Sequence, residues 1–206
     1  MYHLENVIPE AKVVLLGQER VGKTSLTVRI LHNRFDEQPH QSTLGAAFAR
    51  KRVPVDKRLV TLNIWDTAGS ERYRAMTRQY YRNAFAAILC YDLTDSTSWQ
   101  FTKSWVHELQ NHEPDCRLYF CGTKLDLIQK HAFVRQIQSN EIFNYVSKLG
   151  DDKIQIYETS SKNGEGVDEL FQKIANDFCE HEKYNNNERS SKIVLDKEKN
   201  KKPCLC

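Results

Sequence analysis

The stretch Gly17-Gln18-Glu19-Arg20-Val21-Gly22-Lys23-Thr24 decides the fold. It follows an apolar run over 12–16 and opens an amphipathic pattern over 22–32. A strand, a glycine-bearing turn and a helix in that order build a phosphate cradle. Backbone N–H groups of the turn converge on phosphate oxygens, reinforced by the positive end of the helix. Lys23 adds a full positive charge for the β- and γ-phosphates of a nucleotide. Thr24 offers a hydroxyl to Mg2+, and Ser25 follows it in the first helical turn.

Downstream, apolar runs alternate with helical patterns. Strands are expected over 12–16, 46–55, 59–65, 85–91, 118–122 and 153–157. Helices are expected over 22–32, 76–83, 98–111, 139–149 and 167–182, with polar loops over 35–45 and 66–74. This alternation predicts an α/β, three-layer architecture: a six-stranded, mostly parallel sheet with helices on both faces. Ligands of such sheets sit beyond the carboxyl ends of the strands. Residues 1–182 form the expected domain. Residues 183–206 form an expected flexible tail, because the run from Tyr184 to Ser191 lacks periodicity.

At 206 residues the chain fits one domain and a short extension. No apolar run approaches the roughly 18–20 residues of a membrane span, and the first ten residues do not resemble a secretory signal. Collagenous and wholly disordered chains are excluded by composition. The formal charge of +3 is unevenly placed: residues 183–206 hold seven basic and three acidic side chains, leaving the body close to neutral. A near-neutral body argues against a nucleic-acid groove, whereas a basic tail suits an anionic membrane surface. Of the six cysteines, Cys90 and Cys121 lie in strand-like runs and are expected as buried, reduced thiols. None of the six has zinc-ligand spacing.

Three further motifs follow strands. Trp65-Asp66-Thr67-Ala68-Gly69-Ser70-Glu71-Arg72-Tyr73 places an Asp able to reach a metal through water and a Gly whose N–H can approach a terminal phosphate. Gly122-Thr123-Lys124-Leu125-Asp126 and Glu158-Thr159-Ser160-Ser161-Lys162 would each be an ordinary polar loop in isolation. The order of the four, with Thr43 between the first two, resembles the Ras-superfamily small GTPases over about residues 10–180. Leu44-Gly45-Ala46-Ala47-Phe48, Trp65, Glu71-Arg72-Tyr73 and Tyr80-Tyr81-Arg82 resemble the Rab branch.

The resemblance implies a P-loop NTPase (small G-protein) fold that binds GTP or GDP with Mg2+ and acts as a small monomeric GTPase. The phosphate loop would contribute Gly17, Glu19, Arg20, Val21, Gly22, Lys23, Thr24 and Ser25. Thr24, Thr43 and Asp66 would form the metal shell, with Lys23, Gly69 and Ser70 nearest the hydrolysed bond. Phe35 would lie edge-on to the base. Asp126 would accept the guanine N1–H and exocyclic amine, and would repel adenine, whose N1 is an acceptor. Lys124 would cover the ring beside Thr123, and Ser160, Ser161 and Lys162 would close the base site through the Ser161 N–H. Phe48, Trp65 and Tyr80 would form the patch that effectors read. Implied partners are an exchange factor, a GTPase-activating protein, effectors, a prenylation escort and a GDP dissociation inhibitor. A GTP-binding membrane scaffold with negligible hydrolysis and a P-loop phosphotransferase are the alternatives. The latter would need an arginine-bearing lid and an acceptor pocket.

Three positions depart from the pattern. Ser70 stands where a Gln orients the attacking water, and it lacks the carboxamide. Glu19 occupies a position that is usually small, and its carboxylate is expected to point away from phosphate. Thr123 replaces an Asn, keeping a hydroxyl and losing an amide that braces the base site. Together these resemble the atypical Rab twenty-four subgroup, linked to autophagy. The ending Cys204-Leu205-Cys206 does not fit a C-a-a-X box and resembles the Rab double-prenylation site. Two prenyl chains, or one with Lys199, Lys201 and Lys202, would suffice to anchor the chain to the cytosolic face of intracellular membranes. Ser70→Gln is expected to speed single-turnover GTP hydrolysis by about 10²–10³. Equal rates in the two forms would contradict the role given to this position.

Overall fold

The computed structural model describes residues 8–37, 42–69, 74–131 and 134–199, with 74–77 and 184–199 as backbone alone. Twelve elements follow in order: β1 (Glu10–Leu16), α1 (Lys23–His32), β2 (Ala46–Val55), β3 (Arg58–Thr67), α2 (Arg74–Tyr81), β4 (Ala86–Asp92), α3 (Ser96–His112), β5 (Arg117–Thr123), α4 (Leu125–Lys130), α5 (Ser139–Leu149), β6 (Gln155–Glu158) and α6 (Val167–Lys199). The strands form one sheet in the order β2-β3-β1-β4-β5-β6. Only the β2–β3 pair is antiparallel, closed by a turn in which Asp56 takes φ +52. The expected six-stranded, mostly parallel α/β sheet is present.

Strand periodicity explains the three layers. Along β1, Val13 and Leu15 face one side and Val14 and Leu16 the other, and all four are fully buried. Val13 and Leu15 join Leu26 and Ile30 of α1 and Leu170, Phe171 and Ile174 of α6. Val14 and Leu16 join Trp99, Trp105 and Leu109 of α3 and Ile142 of α5. A strand buried on both faces reads as a continuous apolar run, which is how β1 and β4 appear in the sequence. Each such side chain contributes about 1.5–3 kcal/mol. Among the described residues no helix is long and apolar enough to cross a membrane.

Two elements differ from the sequence expectation. The sequence does not predict α4: at six residues it is too short for the helical period to show, although Leu125 and Ile128, three apart, pack partly buried against the core. The last helix continues to Lys199 instead of stopping near Glu182, so much of the expected irregular tail is helical. Residues 183–199 contain neither Gly nor Pro, the residues that end helices, and Pro203 is the first breaker.

The end of the sheet away from the strand C-termini is tied by one buried carboxylate. Asp177 on α6, 2% exposed, accepts from the Tyr119 hydroxyl at 2.6 Å and from Lys173 Nζ at 2.6 Å, with Arg117 at 3.8 Å. Burial and the neighbouring Asp177 charge push the Tyr119 phenol up, so it stays a donor. Tyr119→Phe deprives a buried carboxylate of a donor and is expected to cost about 1–3 kcal/mol. Urea unfolding measures this, and an unchanged midpoint would contradict it.

Candidate functional site

Loops at the carboxyl ends of β1, β3, β5 and β6 gather at one end of the sheet. The β1–α1 turn is shaped by a close approach: a Cβ on Gly17 would stand 2.3 Å from the Cys90 carbonyl oxygen of β4. Arg20 and Gly22 take φ +63 and +101, so the chain reverses its amide direction before entering α1. That helix begins at Gly22 with no side-chain cap and no acidic residue in its first turn. Its leading N–H groups and its dipole therefore favour an anion.

Lys23 stands at that helix end, 5% exposed. Its ammonium donates to the Gly17 and Gln18 carbonyls at 2.9 and 2.8 Å, and a third donor remains. Burial pushes its pKa down, while Cys90, Asp66 and Glu19 act to raise it. The Thr24 and Thr43 hydroxyls lie 3.1 Å apart, and Asp66 is buried at the end of β3. Two hydroxyls and a carboxylate are the hard oxygen donors that Mg2+ takes together with water. Gly69 lies flat on the phosphate loop: a Cβ there would stand 2.3 Å from the Glu19 nitrogen. The second motif is thus brought onto the first. Glu19 is exposed, and its charge acts on Lys23. Ser70, Cys204 and Cys206 lie outside the described residues.

Across the turn, Thr123 is buried at the end of β5. Its hydroxyl lies 2.5 Å from the Val21 carbonyl and 3.0 Å from that of Tyr91. One hydroxyl proton serves two acceptors, where an amide would supply two. The Thr therefore keeps part of the brace whose loss the sequence suggests. Lys124 takes φ +62 and pairs with Asp92 at 2.6 Å, which fixes its side chain. Asp92 is held in turn by the Thr94 N–H and hydroxyl. Asp126 accepts from Ser160 at 2.6 Å, and Ser160 also accepts from the Lys162 and Asn163 N–H groups. Ser161 is buried, Lys162 is exposed and pairs with Glu37 at 3.5 Å, and Phe35 is half-buried.

Sequence reasoning missed two residues of this assembly. Arg29 on α1 donates from Nε to the Ser161 carbonyl at 2.6 Å and from Nη2 to that of Lys162 at 2.5 Å. It couples the helix behind the phosphate loop to the base-side loop 132 residues away, and no spacing announces that. Asp92 was hidden at the end of an apolar strand. On the sheet edge, Phe48 stacks on Trp65 at 5.0 Å and Trp65 on Tyr80 at 5.6 Å. Phe48 and Trp65 are cross-strand partners, and Phe48 is 49% exposed. The predicted aromatic patch is one contiguous surface.

The sequence profile of the Ras family matches residues 12–180. This chain belongs to the Ras family. Within that family its relatives include proteins named as Rab proteins. It is 46% identical over 170 residues to a protein named Ras-related protein Rab-24 from Dictyostelium discoideum, covering 82% of this chain and 81% of that one. It is 38% identical over 205 residues to the Ras-like GTP-binding protein RYL2 of Yarrowia lipolytica, covering 95% and 98%. It is 40% identical over 176 residues to the GTP-binding protein ypt5 of Schizosaccharomyces pombe, covering 84% and 80%. The chain is a Rab-type small GTPase. Thr123→Asn adds the second donor and is expected to slow release of a fluorescent guanine nucleotide by about tenfold. Equal or faster release would contradict the shared-hydroxyl account.

Proposed function

We propose that this small GTPase is a Mg2+-dependent switch of membrane traffic, of the autophagy-linked kind, that hydrolyses GTP slowly. One arrangement carries the reading: the uncapped start of α1 beside the buried Lys23 ammonium, with the Thr24 and Thr43 hydroxyls converging next to it. Bound GTP with Mg2+ supplies the γ-phosphate that is cleaved and a counter-charge for it. The turn from Gly17 to Thr24 binds the phosphates through its N–H groups and Lys23. Thr24, Thr43 and Asp66 hold the metal. Asp126, oriented by Ser160, selects guanine by accepting two N–H bonds, and Lys124, held by Asp92, lies along the ring with Phe35 at its edge.

Thr43 and Gly69 fix their two loops to the γ-phosphate and let go when it leaves. Ser70 gives the attacking water no carboxamide, which slows the step. Phe48, Trp65 and Tyr80 present an aromatic face to effectors in the ordered state. An exchange factor, a GTPase-activating protein, a prenylation escort and a GDP dissociation inhibitor complete the cycle. Prenyl groups on Cys204 and Cys206 hold the chain to the cytosolic face of internal membranes. The test is competition against a bound fluorescent guanine nucleotide, followed by single-turnover hydrolysis. Displacement by GTP and not by ATP, with slow but measurable phosphate release, is expected. Equal displacement by ATP would overturn the base assignment, and a complete lack of phosphate release would leave a scaffold in place of an enzyme.

A further inference from the structure

Arg20 occupies a position that disfavours it. Its φ of +63 lies in the left-handed region, where a side chain with a Cβ is strained and glycine is not. Its side chain is exposed and makes no hydrogen bond or ion pair with any described residue. A long cation held in a strained turn, with no partner among the described residues, is placed to meet a ligand.

The turn's place in the fold says which one. Val21 is tied to Thr123 at the end of β5, and the Cβ position of Gly22 lies 3.8 Å from the Thr123 Cβ. The turn at 20–22 therefore abuts the strand end that leads into Lys124 and Asp126. On one side of it lies the base site built on Asp126 and Ser160. On the other lies the phosphate end at Lys23 and Thr24. A nucleotide spanning the two must pass its ribose and its first two phosphates beside Arg20. The exposed Glu19 carboxylate sets a negative charge next to that path, and the guanidinium offsets it.

We propose that the Arg20 side chain closes over the diphosphate of the bound guanine nucleotide and retards its release. Arg20 thereby retains GDP and GTP alike, offsetting the weakened Thr123 brace. This rests on the GTP-binding reading above and extends it to a side chain outside the loop's backbone contacts. A guanidinium donates two parallel hydrogen bonds to phosphate oxygens, which an ammonium does not.

The experiment uses the full-length chain loaded with a fluorescent GDP analogue and follows its release into excess GDP. Arg20→Gly and Arg20→Ala are expected to release it about tenfold faster, with Arg20→Lys between them and wild type. Raising the salt concentration is expected to narrow the gap. Thermal unfolding of the nucleotide-free forms supplies the second readout. Arg20→Gly relieves the left-handed strain, so it is expected to melt at or above the wild-type temperature while losing nucleotide faster. Release from Arg20→Gly that equals or lags wild type overturns the proposal. Unchanged release with altered hydrolysis also overturns it, because the guanidinium would then serve the γ-phosphate. Failure of wild type itself to bind GDP would defeat the GTP-binding reading, a different result from equal release by all forms.

Discussion

A buried ammonium is costly unless negative charge or strong acceptors surround it. Lys23 is 5% exposed and meets two backbone carbonyls of the loop that precedes it. Those carbonyls point at Lys23 because Gly17 lies against Cys90 and the turn reverses through Arg20 and Gly22. The loop, the helix start and the lysine therefore form one object whose charge is positive and whose natural complement is phosphate. Its position beyond the carboxyl ends of the strands follows from parallel pairing of β1 with both β3 and β4.

The surrounding loops are braced to that object and to each other. Thr123 ties β5 to Val21, Arg29 ties α1 to the loop after β6, and Ser160 ties that loop to Asp126. Gly69 lies on the Gln18–Glu19 peptide, so any movement of the loop after β3 is felt at the phosphate loop. That coupling is the physical content of a switch: a ligand that holds one segment biases the other. The stacked Phe48, Trp65 and Tyr80 sit on β2, β3 and α2, elements that flank the two loops, so their surface inherits the bias.

Much of this was readable in the residues. All six strands were located within a few positions; β1, β4 and β5, buried on both faces, read as continuous apolar runs. The phosphate loop was readable because its chemistry needs particular residues at fixed spacing. Two kinds of feature escaped. The helix α4 is only six residues long, and the extension of α6 begins with a polar run over 184–191, so the helical period had too little to register. Arg29 and Asp92 act through contacts between segments distant in sequence, and polar partners of that kind leave no local pattern. Thr123 shows the reverse case: the sequence revealed a departure, and its surviving hydrogen bond emerged only from the fold.

The account stands on guanine nucleotide occupying the Gly17–Thr24 turn with Mg2+. Isothermal titration of nucleotide-stripped, folded protein with GTP in the presence of Mg2+ tests this most directly. The account predicts saturable heat at one site per chain, abolished by Lys23→Ala with the fold retained by circular dichroism. Absence of heat from folded wild-type protein, or undiminished heat from Lys23→Ala, would contradict it.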